Sequence, residues 1–270
     1  MKNPPNKEAG LAALKAVELK ADDPALMLLR RLQGYVIYSP TTPVLRGATD
    51  SQQRNPLGLS GGRLPEAVDE LLNRLKDKHD EHYKHVNFVL DQVLPLIGWA
   101  KDFAVGWAHE LPLSPAVSAS RKVIAFRDRY MVEGRNVLSG YDASEGALYV
   151  LFLAVLAAHP QAPSIMAIDN ADHGLNPGLA KNLMKGFADW ILADAKCERQ
   201  VLITSHNPAV LDGLPLQNDA ARLFTVDRDN VGRTVVKRVE VNAKLLEMAK
   251  QGWTLSRLWT NKLIGGMPDV

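Results

Sequence analysis

Three short runs carry residue types suited to handling a phosphate. Ser164-Ile165-Met166-Ala167-Ile168 is a near-continuous apolar run that stops at Asp169-Asn170. That is the pattern of a strand buried on both faces, with a carboxylate at its C-terminal end. A carboxylate at the C-terminal edge of an open α/β sheet can hold Mg²⁺ through water, and the metal neutralises phosphate oxygens. Gln200-Val201-Leu202-Ile203-Thr204 reads as another strand and ends in Ser205-His206-Asn207-Pro208, so His206 can reach a terminal phosphate from the same edge. Upstream, Ser144-Glu145-Gly146 precedes the uncharged run Ala147 to Ala158. This run is too short to cross a bilayer and suits a buried helix. The free N–H groups and positive dipole end at its start let Ser144 and Gly146 cradle a phosphate, and Ser144 is equally a natural N-cap.

The elements around these runs are legible from local signals. After Asp169, Gly174-Leu175-Asn176-Pro177 makes a turn and opens a helix, with Asn176 as N-cap and Pro177 in the first helical position. Leu179, Leu183, Phe187, Trp190 and Ile191 then recur at helical spacing. The strand Tyr35 to Tyr38 is broken by Ser39-Pro40, and residues 41 to 62 are rich in Thr, Ser, Gly, Gln and Pro, as in a loop. From Leu64 to about Trp107 the pattern is mainly helical. Lys122 to Phe126 and Arg129 to Val132 read as a pair of short strands, and Arg222 to Val226 with Thr234 to Val241 as two more around a turn at Asp227 to Gly232. Residues 1 to 24 mix helix formers and linker, and no internal repeat or low-complexity segment is visible.

Taken in order, Leu138 to Gly146, Ile165 to Pro177 and Ile203 to Pro208 resemble the ABC-type ATPases, closest to the AAA-labelled, SMC- and RecF-like bacterial group that includes phage-defence proteins. The resemblance is strong over residues 138 to 212. It implies a P-loop NTPase-like α/β sheet flanked by helices. The implied organisation is an N-terminal strand and loop region over 1–62, a helical subdomain over 63–112 and an ATPase core over 113–270. Ser144, Glu145 and Gly146 match a shortened signature motif that contacts the nucleotide of an opposite subunit. Asp169 matches the Walker B carboxylate, Gly174 to Pro177 with Asn176 the D-loop, and His206 the switch histidine. ATP and Mg²⁺ are the implied cofactors. The implied partner is a second copy or another ATPase chain, with a nuclease or other effector protein admitted by the group.

Two departures bear on activity. No Gly-x-x-x-x-Gly-Lys-Ser/Thr phosphate loop occurs in the 270 residues, so this chain by itself is not expected to bind ATP in the usual way. Asn170 stands where the family places its catalytic glutamate, and an amide does not accept a proton from water at neutral pH. Hydrolysis is therefore expected to be slow or absent unless Asp172 or another carboxylate substitutes. Ala171, where proline is common, is a milder departure. The readings that follow are a piece of an ABC-type ATPase completed across a dimer or by a missing segment, and a non-hydrolysing structural or regulatory scaffold in a phage-defence or DNA-repair complex. A transporter subunit fits less well, because the signature lacks the Gly-Gly-Gln continuation.

Several other features have bland explanations. Leu59-Ser60-Gly61-Gly62 spells a transporter signature but lies far upstream of Asp169 and reads as a turn before a helix Glu66 to Leu75. His79, His82 and His85 at i, i+3 and i+6 with Asp80 and Glu81 suggest a metal, but a solvated helix face is the better reading. Arg121, Lys122, Arg127 and Arg129 can touch a nucleic-acid backbone, yet a solvated strand face explains them. Trp253, Leu255 and Trp259 read as core rather than a partner patch. A net charge of +2 makes no general electrostatic claim on nucleic acid, and the single Cys197 excludes an internal disulfide framework. With no signal pattern and no long apolar run, a cytoplasmic protein without membrane insertion is expected.

Overall fold

The computed structural model describes residues 24–48, 54–111, 121–194 and 199–264. The reading of residues 1–23 and the single Cys197 lie outside them. In chain order the elements are α1 (Pro24–Gln33), β1 (Val36–Tyr38), α2 (Thr42–Leu45), α3 (Leu64–Arg74), α4 (Tyr83–Ile97), β2 (Ala100–Trp107), β3 (Lys122–Asp128) and β4 (Val137–Ser139). There follow α5 (Glu145–Ala158), β5 (Ile165–Ile168), α6 (Pro177–Ala193), β6 (Gln200–Ile203), β7 (Leu223–Arg228), β8 (Thr234–Val239), α7 (Ala243–Lys250) and α8 (Leu255–Thr260). Short 3₁₀ turns occupy Ala108–Glu110 and Pro208–Gly213.

The uncharged run seen in the sequence becomes the centre of the molecule. Every residue of α5 from Gly146 to Ala158 is buried, as a helix apolar on all sides must be in a folded chain. Ala67, Val68 and Leu71 of α3, Val86, Val89 and Val93 of α4, and Leu183, Met184 and Phe187 of α6 share its core. β1, β5 and β6 form a three-stranded parallel sheet in the order β1-β5-β6, with Tyr38 beside Ile168 and Ile168 beside Ile203. Strict alternation then sends Val36, Tyr38, Met166 and Ile168 into the core, where the rings of Tyr38 and Phe152 meet edge-on at 5.8 Å. The opposite face carries Ile37 and Leu202, 52% and 56% exposed.

A second sheet is antiparallel, in the order β2-β3-β4. It corrects two sequence expectations. Ala100–Trp107 lies in the stretch expected to be helical but is a strand, because Ala100 to Trp107 pair along β3 from Asp128 to Lys122. Arg129 to Val132 forms no strand; the chain turns there, with the Asp128 carboxylate accepting from the Tyr130 and Met131 N–H groups, and β4 follows at Val137–Ser139. The loop 41–62 also contains one turn of helix, α2. Leu59 to Gly62 is the expected turn, and the Leu59 and Ser60 carbonyls accept from the N–H groups of Ser39 and Thr41. β7 and β8 form the expected hairpin.

α4 begins at Tyr83, so His79 and His82 precede it and do not share a helix face with His85. Near the C-terminus Leu258 is the buried side chain, while Trp253, Leu255 and Trp259 are half-buried, a correction to the core reading. α8 is held to the Pro208–Gly213 turn by the Asp212 carboxylate, which accepts from the Ser256 N–H and hydroxyl at 2.9 and 2.7 Å. The basic cluster is dispersed: Arg127 pairs with Asp102 at 3.2 Å, Arg129 donates to the Ala100 carbonyl, and Lys122 pairs with Asp69. No helix among the described residues is long and apolar enough to cross a membrane.

The C-terminal end of α5 is buried, so its carbonyls need donors. The Arg199 guanidinium supplies them, donating to the carbonyls of Ala157 and His159 while pairing with Asp194 at 3.2 Å. His159, the C-cap, is 1% exposed, with Nε2 3.0 Å from a Glu70 carboxylate oxygen. Burial holds its pKa below the ordinary histidine value, and Glu70 opposes that shift. Because the folded value is depressed, the neutral ring contributes stability that is fully present above the unfolded value of about 6.5. That contribution is lost as the pH falls through the folded value. The urea midpoint should therefore drop between about pH 7.5 and about pH 5.5, and the drop should be smaller in His159→Gln. Equal pH profiles for the two proteins would contradict this assignment.

Candidate functional site

The parallel register places the ends of β5 and β6 side by side, which sets Asp169 next to Thr204. The Thr204 hydroxyl donates to Asp169 Oδ1 at 2.5 Å and accepts from the Asn170 N–H at 3.0 Å. Backbone bonds from Asp169 N–H to the Tyr38 carbonyl and from Ala171 N–H to the Thr204 carbonyl lock the strand ends together. Asn170 takes a left-handed conformation, φ 52°. Asn visits that region more readily than Glu does, so the backbone supplies its own reason for an amide here. Two residues on, Asp172 Oδ1 accepts from the His206 N–H at 3.3 Å. Asp169, Asn170, Asp172 and His206 thus stand together on one sheet edge.

The second group forms at the start of α5. Ser144 is the N-cap, its hydroxyl accepting from the Ala147 N–H at 3.3 Å. Glu145 does not project freely: the Thr42 hydroxyl donates to its carboxylate, and His173 Nε2 lies 3.3 Å from the same oxygen. Gly174 has φ 69°, and a Cβ there would overlap the Glu145 side chain. Gly146 lets α6 approach, since its Cβ would meet Leu179 Cδ2 at 2.8 Å. Asn176 caps α6 as the sequence indicates, accepting from the Leu179 N–H at 2.9 Å. Its side-chain oxygen therefore already has a structural task.

Tyr149 joins the two groups. It lies one turn into α5, is buried, and its hydroxyl donates to the Asn170 carbonyl at 3.5 Å. Burial raises its pKa, and the carboxylates of Asp172 and Asp169 push it further in the same direction. Thr204, Tyr149, Thr42 and His173 are the neighbours that motif reading leaves out. Only Thr204 has a local signal, as the last residue of a strand next to the one ending in Asp169.

Residues 51–212, more than half of the chain, match the family described as "AAA domain, putative AbiEii toxin, Type IV TA system". The chain belongs to this AAA family. No curated protein matches it. Among solved structures this AAA domain is similar to SMC head domains. One is the Smc head with an extended coiled coil bound to the C-terminal domain of ScpA from Pyrococcus furiosus. It is 14% identical, with a TM-score of 0.37, over 69% of this chain and 43% of that one. Another is the SmcHead bound to the C-winged helix domain of ScpA, 15% identical, with a TM-score of 0.40, over 77% and 57%. The AAA domain thus spans less than two thirds of the length of either structure.

The donor set admits a metal held jointly with a nucleotide. Among the described residues no three His, Cys, Asp or Glu side chains gather into a metal cage, and the three-histidine run forms none. Mg²⁺ needs no such cage, since it keeps several waters and binds through one or two carboxylates and substrate phosphates. Asp169, with one oxygen occupied by Thr204, fits that mode.

Proposed function

We propose that this AAA domain is the Walker B to switch-histidine portion of an ABC-type ATPase. It holds ATP and Mg²⁺ only when another segment or partner chain supplies the phosphate loop, and it hydrolyses ATP slowly. The observation that carries the reading is the paired strand ends: Asp169 fastened by Thr204, and His206 fastened through its backbone by Asp172, on one edge of a parallel sheet. A sheet of this type is normally covered on both faces, and the exposed face carrying Ile37 of β1 and Leu202 of β6 suits covering by a further helix.

In this reading Asp169, fastened by Thr204, would hold Mg²⁺ through water, and His206 would hydrogen-bond a terminal phosphate. Mg²⁺ would neutralise charge on the β- and γ-phosphates. Ser144 and Gly146 offer the N-terminus of α5 to the nucleotide of a second copy or partner ATPase chain, while Glu145 braces that corner through His173 and Thr42. Asn170 orients water without accepting its proton. The same residue supports the alternative, a non-hydrolysing structural or regulatory scaffold in a phage-defence or DNA-repair complex with an effector such as a nuclease.

Calorimetric titration of Mg-ATP into this chain, alone and joined to a segment bearing a Gly-x-x-x-x-Gly-Lys-Ser/Thr loop, tests the proposal. Binding is expected only with the loop, and Asp169→Ala should weaken it by about tenfold or more. Asn170→Glu should raise turnover while costing about 1–2 kcal/mol of stability, because a Glu must take the left-handed backbone. Absence of binding in both forms would remove the nucleotide from the account and leave the scaffold.

A further inference from the structure

A cavity of about 170 Å³ lies between α2, the start of α3, β3 and the turn from β4 into α5. Its polar wall is made by Arg46, Arg63, Arg121, Lys122, Glu66 and Tyr141. Among the described residues, four cations and one carboxylate therefore line it. Ile124 and Leu148 give it an apolar floor.

The charges in the wall are only partly answered. Lys122 pairs with Asp69, and Arg63 Nη2 with Glu70 at 3.4 Å. Arg46 Nη2 donates to the Ala143 carbonyl at 3.1 Å, a neutral oxygen. Arg46 Nε and Arg63 Nη1 are buried, with no hydrogen-bond partner among the described residues. Buried charged donors are ordinarily satisfied, and an unpaired pair of them at one cavity points to a missing acceptor.

The wall is also built rather than incidental. Arg63 adopts a left-handed conformation, φ 64°, directly before α3, a strain that a bulky residue holds only where its surroundings fix it. Gly47, φ 104°, sits under Tyr141, whose hydroxyl lies 2.7 Å from where a Cβ would stand. Guanidinium N–H groups form charge-assisted hydrogen bonds with tetrahedral oxyanions, and the unpartnered donors of Arg46 and Arg63 suit a phosphate. The volume exceeds the roughly 30 Å³ share of one water severalfold, enough for a phosphate group.

We propose that this cavity binds the phosphate group of a phosphorylated small molecule through Arg46 and Arg63, at a site separate from the Asp169 edge. Arg46 bonds the carbonyl of Ala143, the residue before Ser144, so occupancy there is tied to the start of α5. The proposal is independent of whether the sheet edge binds ATP.

Isothermal calorimetry with inorganic pyrophosphate, in the absence of Mg²⁺, tests it on the full chain. Saturable binding of one equivalent is expected, weakened about tenfold in Arg46→Gln and in Arg63→Gln and unchanged in Lys237→Gln on the exposed β8. Arg46→Lys keeps the charge but loses the fork and should also weaken binding, which covers the case in which a glutamine variant fails to fold. No saturable heat, or undiminished binding in Arg46→Lys and Arg63→Gln, would overturn the proposal. ATP binding more tightly than pyrophosphate would assign a nucleotide as the source of the phosphate, and equal affinities would assign the bare phosphate group.

Discussion

Arg199→Ala should lower the unfolding free energy by about 3–5 kcal/mol, the range for removing one partner of a buried ion pair. The guanidinium is 2% exposed and serves three acceptors at once: the carbonyls of Ala157 and His159 and the carboxylate of Asp194. Alanine withdraws a charged donor from all three and opens a cavity beside them, although the His159 carbonyl keeps the Ala162 N–H at 3.0 Å. It also removes the cation from the negative end of α5, which α5 cannot replace because its own last turn carries no basic residue. His85 shares the Ala157 carbonyl at 3.0 Å and can answer only part of the demand. Arg199→Lys should recover a minor part, since one ammonium does not span the same acceptors. Denaturant titration of the three proteins measures this, and a loss below about 1 kcal/mol for alanine would show that water reaches the helix end.

Phe152→Ala should cost about 3–5 kcal/mol, the range for a large aromatic removed from a closed core. Phe152 is fully buried at the midpoint of α5 and packs against Tyr38 of β1 at 5.8 Å and Tyr149 at 5.7 Å. It is therefore one contact through which the parallel sheet rests on the central helix. Its loss should also free Tyr149, and with it the hydroxyl that reaches the Asn170 carbonyl. Phe152→Leu should keep most of the stability. Thermal or urea unfolding gives the comparison, and a near-neutral alanine variant would mean that the sheet docks by some other contact.

The sequence by itself determined the elements whose signals are local. The uncharged run before Ala158 could only be a buried segment; Asn176-Pro177 could cap and start a helix; and the apolar runs ending in Asp169 and Thr204 read as strands of a parallel sheet. Each rests on residues within a turn or two of one another, where periodicity and capping chemistry act. Each of the motifs whose order resembled the ABC-type ATPases is also a local run, and the chain matches the AAA family. Tertiary structure decided whatever depends on distant partners. Ala100–Trp107 is a strand because β3 lies alongside it, and β4 falls at Val137–Ser139 because the Asp128 carboxylate turns the chain first. Thr204 meets Asp169, Glu145 meets Thr42 and His173, and Arg199 meets the end of α5 only after the chain has folded over long loops. The cluster Arg121 to Arg129 was divided in the same way. A strand's alternation sends neighbouring side chains to opposite faces, so Lys122 lines a cavity while Arg127 faces Asp102.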